Sequence, residues 1–437
     1  MLEPTFPRAP SELKAEIVYI RASWACHNGS DTHHIIYIPP TNMSGLRIAI
    51  IGAGPAGLVL ARLLQIENIP CTIFELDTGP NERDQGGTVD LHGQGGQLVL
   101  REAGLIDEFN KHSRPEGEAM KLVKYDGTVL FDENHEGNAR PAEFRDRPEI
   151  DRAALRQILL GSIKPGTVVW NKKLVTVEST PNGNAKYNLS FSDGAVETGF
   201  DLVIGADGAW SKVRGLLTDQ QPFYSGISGI ELWALDVEKR KPFLSQYVGK
   251  GTMFMFDEGR AIICQRNGND SIRTYAAVRQ PETWIKECGI DWSKGDEARK
   301  QVLDQYFTNC SDDLKRLVLE SDDKLTARSM WMLPINMKWE PRPGVTVVGD
   351  AAHLMTPFAG VGVNLAMVDS WKLSKAIIGS GGDLEKLTAA MKDFEAEMFE
   401  RGRKFAQKTW KGLQSHFSAT GGEERAALMK GRMAATH

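Results

Sequence analysis

The sequence has few of the features that mark several large classes of protein. Its 437 residues include five cysteines, an odd count, far apart and without C-x-x-C spacing, which fits free thiols in a reducing compartment better than a disulfide framework. It has no run of about 18 apolar residues for a membrane span and no cleavable apolar leader. The formal net charge of -5 includes no basic stripe for nucleic acid. We therefore expect a cytoplasmic protein whose partner is a small molecule, with no nucleic-acid or membrane partner.

Residues 1–44 lack sustained hydrophobic periodicity and contain several prolines. His33 and His34 lie beside Asp31 and could suggest a metal site, but such a site needs a third spaced ligand and a rigid frame. We interpret residues 1–44 as a disordered N-terminal extension and expect no metal site.

A strand–helix–strand pattern begins after this segment. "RIAIIG" predicts a buried strand, "GLVLARLLQIENI" a helix, and "CTIFEL" a second strand that ends at Glu75. Gly52 permits the tight turn, Gly54 lets the backbone approach a pyrophosphate, and Gly57 lets helix and strand pack closely. Glu75 is placed to bind a ribose diol. The pattern predicts a dinucleotide-binding fold.

A second glycine-rich helix start occurs about 300 residues later. "GVTVVGD" predicts a strand ending at Asp350, and the following helix has Gly360 and Gly362 at its first turn. An aspartate there can bind ribityl hydroxyls, and a helix N-terminus favours the negative charge of a reduced flavin. Two glycine turns, one for each end of the cofactor, predict FAD.

Four stretches carry a family resemblance. "GDAAHLMTPFAGVGVN" resembles the GD motif of the class A flavoprotein monooxygenases, the single-component FAD-dependent aromatic hydroxylases, and "DLVIGADGAWSKVR" resembles their DG motif. "RDQGGTVDLHGQGGQLVLREAGL" and "RPEIDRAALRQILL" are most similar to the tetracycline-inactivating flavin monooxygenases and their fungal natural-product relatives. The resemblance implies an α/β fold with a Rossmann-like FAD-binding domain of the GR2 or para-hydroxybenzoate hydroxylase type, an antiparallel-sheet substrate domain and a long C-terminal helix.

The glycine turns and the resemblance together predict the cofactor-binding residues. These are Gly52, Gly54, Ala56, Gly57, Glu75, Arg83, Gly87, Asp90, Arg152, Asp207, Asp350, Gly360, Gly362, Val363 and Asn364. Among them, Arg83 is the candidate contact for the nicotinamide cofactor, and its alternative is a solvated loop arginine. Arg152 and Arg156 could instead form surface ion pairs. We interpret His92 and His353 as structural side chains.

The middle of the chain predicts an antiparallel sheet. "GTMFMF", "RAIICQR" and "SIRTYAAVRQ" are separated by turn residues. Met253 and Met255 alternate with two phenylalanines, so one pair should face the flavin and the other the helices behind, with core packing as the alternative. The predicted substrate contacts are Glu231, Met253, Met255 and Phe358.

The predicted domains are discontinuous. Residues 45–219 and 341–380 form the FAD-binding domain, 220–340 the substrate-binding domain, and 381–437 a long helix with a tail that is disordered after residue 418. We expect a monomer, with a dimer as the alternative.

The resemblance implies that the flavin performs the reaction and that no side chain is a nucleophile. NADPH or NADH reduces FAD, O2 adds to give a flavin C4a-hydroperoxide, and an aromatic or polycyclic substrate is hydroxylated. Pro357, Phe358 and Gly360 position the reactants and exclude water. One alternative is a flavin-dependent halogenase, since "WMLPI" at 331–335 resembles the halogenase signature but has Leu333 in place of its second tryptophan. The other is a flavin-bound ligand-binding protein without turnover.

Overall fold

The chain combines a parallel sheet with a larger, mainly antiparallel one. The computed structural model describes residues 45–134, 146–180, 186–322 and 324–434, so the expectations for residues 1–44 lie outside the described chain. The strands of the described part are β1 (Ile48–Ile51), β2 (Thr72–Phe74), β3 (Thr88–Asp90), β4 (Met120–Val123), β5 (Val129–Asp132), β6 (Glu149–Asp151), β7 (Val168–Val169), β8 (Leu174–Ser179), β9 (Tyr187–Phe191), β10 (Val196–Phe200), β11 (Leu202–Gly205), β12 (Phe223–Ala234), β13 (Thr252–Asp257), β14 (Arg260–Arg266), β15 (Ile272–Arg279), β16 (Leu325–Met332) and β17 (Val345–Val347).

Helices cover both sheets. They are α1 (Pro55–Ile66), α2 (Gly96–Glu102), α3 (Ile106–His112), α4 (Arg152–Gly161), α5 (Val237–Arg240), α6 (Pro242–Val248), α7 (Trp284–Glu287), α8 (Gly295–Tyr306), α9 (Asp312–Leu319), α10 (Asp350–His353), α11 (Gly362–Ser380), α12 (Leu384–His416) and α13 (Gly421–Ala434). Among the described residues, no helix is long and apolar enough to cross a bilayer.

The parallel sheet has the strand order β17-β11-β1-β2-β7. β1 is buried at every position, as expected for a strand covered by helices on both faces. It pairs in parallel with β2 and β11, and β11 pairs in parallel with β17. The two predicted glycine turns therefore open from the same edge of one sheet, which confirms the Rossmann-like part of the fold.

The second sheet has the order β16-β12-β15-β14-β13-β4-β5. Its three predicted strands are β13, β14 and β15, and they pair antiparallel. Apolar residues on one face pack against α6, α8 and α9, as shown by the buried contacts of Leu244, Val302 and Leu314. The opposite face, which we call the front face, looks towards α12 through Leu413 and Phe417.

The C-terminal segment differs from the prediction at its end. α12 confirms the predicted long helix, and its N-cap Asp383 accepts hydrogen bonds from the first-turn amides. The expectation that the chain is disordered after residue 418 is wrong, because α13 follows. Ala426 and Met429 of α13 are buried against Leu122 and Phe131 of the antiparallel sheet, and this burial stabilises the helix.

Candidate cofactor and substrate site

A cavity of about 750 Å³ lies at the carboxyl edge of the parallel sheet, where open α/β sheets bind their ligands. It is elongated across both glycine turns and reaches the front face of the antiparallel sheet at Gln265. The predicted residues that line it are Gly52, Gly54, Ala56, Glu75, Arg83, Asp90, Arg152, Asp207, Asp350, Pro357, Gly360, Gly362 and Val363.

The glycines of the first turn fit a bound dinucleotide. Gly52 has φ +105°, and a Cβ there would lie 2.4 Å from the carbonyl oxygen of Ala206. A Cβ on Gly57 would lie 2.0 Å from the carbonyl oxygen of Gly52. A Cβ on Gly54 would meet no atom within 4 Å and would project into free space. Gly52 and Gly57 are thus needed by the turn itself, whereas Gly54 leaves room for a ligand against the backbone.

Two helices begin at this cavity. Neither α1 nor α11 has a side-chain N-cap, so their first-turn amides are available to a ligand. Gly54 and Pro55 line the cavity at the start of α1, and Val361 and Gly362 line it at the start of α11. Both positive ends of the helix dipoles therefore face one elongated space, which suits the phosphates and the flavin of FAD.

Glu75 is held at the end of β2 by backbone amides. Its Oε2 accepts from the Ala53 amide at 2.5 Å and its Oε1 from the Asp77 amide at 3.0 Å. The side chain is buried but lines the cavity. These bonds fix the carboxylate beside the first glycine turn, where a ribose diol could donate to its remaining lone pairs.

Asp350 and Arg152 both line the cavity. Asp350 is exposed to the cavity, although protein surrounds it on its other sides. That burial raises its pKa, while the charges of His353 and Arg152 act in the opposite direction. Arg152 is exposed and has no ion pair within 4.0 Å in the described part of the chain, so its guanidinium can bind an anionic or polar cofactor group. Arg152 therefore does not form the surface ion pair that was the alternative interpretation.

Only one carboxylate oxygen of Asp207, the aspartate of the DG motif, accepts hydrogen bonds from the described residues. Its Oδ2 accepts from the amides of Lys212 at 2.8 Å and Val213 at 3.4 Å. Its Oδ1 is buried and has no hydrogen-bond partner in the described chain. Burial raises the pKa of this carboxyl. A buried acceptor without a donor at the cavity wall is what a cofactor hydroxyl would satisfy.

Asn364 and Asp90 connect α11 to the loop after β3. The carboxamide oxygen of Asn364 accepts from the amides of His92 and Gly96, both at 2.9 Å, and its nitrogen donates to the Asp90 carbonyl at 2.9 Å. Asn364 is buried and is absent from the cavity wall. Its carboxamide therefore positions that loop, and contact of Asn364 with the cofactor stays a prediction that only its backbone could fulfil.

The carboxylate of Asp90 has protein partners that the sequence did not indicate. Arg147 donates to Asp90 Oδ2 through Nε at 3.0 Å and also through Nη2, and His92 Nε2 lies 3.1 Å from the same oxygen. Burial opposes ionisation of Asp90, but these contacts outweigh it and lower its pKa. His92 thus has the structural role that was predicted for it.

Arg83 lies at the cavity wall and shares a partner with Arg156. Arg83 Nε lies 3.0 Å from Asp77 Oδ1, and its side chain is 55% exposed. Arg156 is buried, donates to Asp77 Oδ2 at 3.0 Å and to the carbonyls of Ala53 and Pro80. The interpretation of Arg156 as a surface arginine is wrong, because it ties the first glycine turn to the loop that carries Arg83.

The front face of the antiparallel sheet continues the cavity as an apolar surface. Gln265 and Ile263 lie on this face of β14, and Ile263 is in register with Phe254 and Tyr275 on the neighbouring strands. Half-buried apolar side chains cluster here, namely Phe254, Ile263, Met330 and Phe358. The surface is thus lined by aromatic and aliphatic groups and begins where the cavity ends.

Two of the predicted substrate contacts, Met253 and Met255, lie on the face of the antiparallel sheet that is opposite to the front face. Met253 and Met255 are fully buried in the core between the sheet and α6, α8 and α9. The alternation was predicted, but the structure turns the phenylalanines, not the methionines, towards the front. The interpretation of both methionines as substrate contacts is corrected for this reason.

Glu231 lies on the front face but is already paired. Its Oε1 bonds to Nη1 of the buried Arg273, and its Oε2 accepts from Arg328 Nε at 2.7 Å. Arg273 also donates to Asp84 at 2.6 Å. Direct contact of Glu231 with a substrate stays a prediction, and the structure gives it a role in fixing two arginines beside the apolar surface.

Gly87 and Phe358 lie next to the cavity without lining it. A Cβ on Gly87 would meet Gln265 Oε1 at 3.0 Å, so this glycine lets the loop pack on the sheet. Phe358 packs against Phe417, with ring centroids 5.4 Å apart. Both residues therefore shape the surroundings of the cavity in the described structure.

The sequence reasoning missed several residues of the wall. They are Thr88, Glu149, Lys172, Lys173, Trp210, Gln265, Met355 and Thr356. Glu149 lies in the quoted stretch "RPEIDRAALRQILL" three residues before Arg152, and its position opposite Asp90 depends on the pairing of β3 with β6. That pairing joins distant segments, so only the predicted strand character around residue 150 could have pointed to it.

The fold and the cavity define a flavoprotein of the para-hydroxybenzoate hydroxylase type, with one site for both ends of FAD. A family model described as "FAD binding domain" matches residues 46–387. The chain belongs to this FAD-binding family.

Its relatives are monooxygenases. The monooxygenase penA of Penicillium thymicola is 31% identical to this chain, and the match covers 88% of the chain and 98% of penA. The comparisons confirm the predicted class: the protein is a class A FAD-dependent monooxygenase, and they give no support to the halogenase alternative.

Solved structures share the fold. HpxO of Klebsiella pneumoniae, solved with FAD and uric acid, aligns with a TM-score of 0.70 at 20% identity, covering 89% of this chain and 94% of HpxO. The tetracycline destructase Tet(51) aligns with a TM-score of 0.64 at 21% identity, covering 88% and 95% of the two chains. These likenesses confirm the FAD-binding fold at low sequence identity.

Proposed function

We propose that the protein uses NADPH or NADH and O2 to hydroxylate an aromatic or polycyclic small molecule. The observation that carries this proposal is the continuity of the FAD cavity with the half-buried apolar front face at Gln265. An apolar surface with few polar groups suits a planar ring system. The uric acid bound to the HpxO structure, a flat heterocycle, supports a substrate of this kind.

The residues of the chain bind, orient and shield. When bound, FAD supplies the redox chemistry by accepting a hydride and activating dioxygen. The amides at the start of α1 would bind the pyrophosphate, and those at the start of α11 would stabilise negative charge on the ring system. Pro357 and Gly360 belong to the turn before α11 that would position the ring system against a substrate, and Gly360 closes this turn with a φ of +62°. Phe254 and Phe358 of the adjoining apolar cluster would help to exclude water from the reacting groups.

Arg83 is the proposed contact for a phosphate of the nicotinamide cofactor. Asp77 contacts the Nε of Arg83, and no hydrogen bond from the described residues engages the terminal nitrogens of this half-exposed side chain, which lines the cavity. Such a fork can bind a phosphate in a bidentate way. The pairing with Asp77 would orient Arg83 before the cofactor arrives.

Anaerobic stopped-flow reduction tests this assignment. Arg83→Ala should slow flavin reduction and raise the apparent KM for NADPH, with FAD content unchanged. Arg403→Ala is the control, because Arg403 is a partly exposed arginine that is paired with Glu400 on α12 and does not line the cavity. Reduction of the Arg83 variant at the wild-type rate at every NADPH concentration would refute the assignment. Parallel runs with NADH identify the preferred reductant.

Screening polycyclic phenols for stimulated NADPH oxidation and oxygen uptake tests the activity as a whole. A binding protein without turnover would retain FAD and bind ligands, but it would form no hydroxylated product. A product that contains one additional oxygen supports the proposal.

The two binding functions are assigned to different segments of the chain. We assign FAD binding to residues 45–219 and 341–380, substrate binding to 220–340, and the covering helices to 381–437. The described residues from 45 to 434 belong to one compact unit, so the two functions would share one folded body. The free thiols of Cys71, Cys264, Cys288 and Cys310 support a cytoplasmic location, and a monomer is the proposed state.

A further inference from the structure

We propose that Glu149 accepts the proton of a substrate hydroxyl in this cavity and so converts a phenol into the more electron-rich phenolate. This inference rests on the proposed function and adds a catalytic side chain to a site for which the sequence indicated none. It is carried by the positions and partners of two neighbouring carboxyl groups.

Glu149 and Asp90 face the cavity side by side. They are register partners in the antiparallel pair of β3 and β6, and directly opposed residues project to the same face of a sheet. Both line the cavity, together with Thr88 of β3 and Gln265 of the front face. Glu149 is therefore positioned where the cofactor cavity meets the sheet that carries the proposed substrate surface.

The two carboxyl groups have different partners. Asp90 is bound by Arg147 and His92. Glu149 accepts one hydrogen bond, from Thr88 Oγ1 to its Oε2 at 2.6 Å, and it has no ion pair within 4.0 Å in the described chain. Its second oxygen has no hydrogen bond from the described residues. One carboxylate is thus fixed as an anion, and the other lacks a cation.

The groups that influence the ionisation of Glu149 are Asp90, Thr88, Arg114 and Arg147, and Arg152, which has no ion pair within the described chain, lines the same cavity. Asp90 on β3 adds a negative charge, and Arg147, which precedes β6, forms an ion pair with Asp90. Arg114, from the turn packed against β6, is paired with Asp151 at 3.1 Å. Burial and the charge of Asp90 raise the pKa of Glu149 to about 7, while Thr88, Arg114 and Arg147 act against this rise.

Neighbouring carboxyls whose environments separate their pKa values are the usual arrangement for acid–base work. A carboxyl with a pKa near the working pH can accept a proton and release it again. In the proposed step the O–H bond of the phenol breaks, a new O–H bond forms on Glu149, and the electron pair stays on the phenolate oxygen. Nothing is oxidised or reduced, and Glu149 later returns its proton to water at the cavity mouth.

The test compares Glu149→Gln with Glu149→Asp, using the phenolic substrate that the screen identifies. Wild-type product formation should rise with pH through a limb near 7. Glu149→Gln should lose this limb and form product about 100-fold more slowly above it, the scale of general-base catalysis. It should keep its FAD content and its anaerobic reduction rate. Glu149→Asp should keep a pH-dependent limb in its rate profile. The control Glu116→Gln, on the neighbouring exposed turn, should have the rate and pH profile of wild type.

Two further readouts exclude a merely structural role. A fluorinated analogue of the same phenol, which ionises in solution at lower pH, should restore product formation in Glu149→Gln. Infrared spectra of the FAD-loaded proteins should show a protonated-carboxyl band that titrates near pH 7 in wild type and is missing in Glu149→Gln.

The outcomes separate this inference from the proposed function. If wild-type protein forms no product from any phenol, the proposed function fails first. If wild type forms product and Glu149→Gln has the same rate and pH limb, the inference is overturned. Failure of the acidic phenol to restore a variant that retains FAD would overturn it too.

Discussion

Replacing Gly54 by alanine should weaken FAD binding without unfolding the protein. Its Cβ would meet no atom within 4 Å, and Gly54 has φ -79° and ψ -179°, which alanine adopts without strain. The methyl group would instead occupy the space that the cofactor needs against the backbone. Gly54→Ala therefore separates ligand binding from folding.

The expected magnitudes follow from this geometry. Alanine in place of glycine restricts the unfolded chain, which adds about 0.4–1 kcal/mol to the free energy of unfolding. At a helix N-cap alanine is less favourable than glycine by a similar amount, about 0.5–1 kcal/mol, so the net change should stay within about 0.5 kcal/mol. An inserted methyl in a packed contact costs about 1–3 kcal/mol. At about 1.4 kcal/mol per tenfold, the Kd for FAD should rise by roughly fivefold to somewhat over a hundredfold.

Flavin fluorescence titration of the apoprotein measures the Kd, and urea denaturation measures stability. Gly57→Ala should lose about 3 kcal/mol or more of stability, because its Cβ would lie 2.0 Å from the Gly52 carbonyl oxygen. Gly161→Ala is the control, since its Cβ meets no atom and it ends α4 away from the cavity. A Gly54 variant with wild-type FAD affinity, or one that is unfolded, would refute the reasoning.

Three further variants test the surroundings of the site. Arg156→Leu should lower the free energy of unfolding by about 3 kcal/mol in urea titrations, because it leaves the buried Asp77 without its buried cation; an unchanged midpoint would argue against this. Burial lowers the pKa of His353, but the charge of Asp369 outweighs burial and raises this pKa above its usual value of 6.5. Charged His353 therefore stabilises the fold fully below pH 6.5, and this stabilisation is lost as the pH rises through the pKa of His353 in the folded state. The stability deficit of His353→Gln in thermal unfolding should therefore shrink with rising pH, and a deficit that grows would contradict the pairing. Asp350→Ala should lose about 1.5–3 kcal/mol of FAD binding energy by fluorescence titration, and full FAD retention would remove Asp350 from the site.

The sequence predicted those parts of the fold that depend on local patterns. The glycine spacing at 52–57 and the strand ending at Asp350 predicted both ends of the FAD site, since each is a strand, a turn and a helix in direct succession. The strands β13 to β15 and helix α12 followed from their periodicities. In each case neighbouring residues carry the whole signal.

The rest depended on which distant segments meet. In β13 both alternating sets are apolar, so the pattern could not decide whether Met253 or Phe254 faces the front; packing of α8 and α9 behind the sheet decided it. Glu149 and Asp90 become neighbours only through the pairing of β3 with β6. The bonds from the Asn364 carboxamide to the 90–96 loop likewise join distant segments and are not visible in the sequence.

Incorporation of oxygen from isotopically labelled dioxygen tests the central claim most directly. The FAD-loaded protein is supplied with NADPH, the labelled gas and the phenol that stimulates oxidation, and the product is analysed by mass spectrometry. The account predicts one labelled oxygen atom on the aromatic ring of each product molecule, with water as the source of none. An unmodified phenol with all consumed dioxygen recovered as hydrogen peroxide, or a label that derives from water, would contradict it.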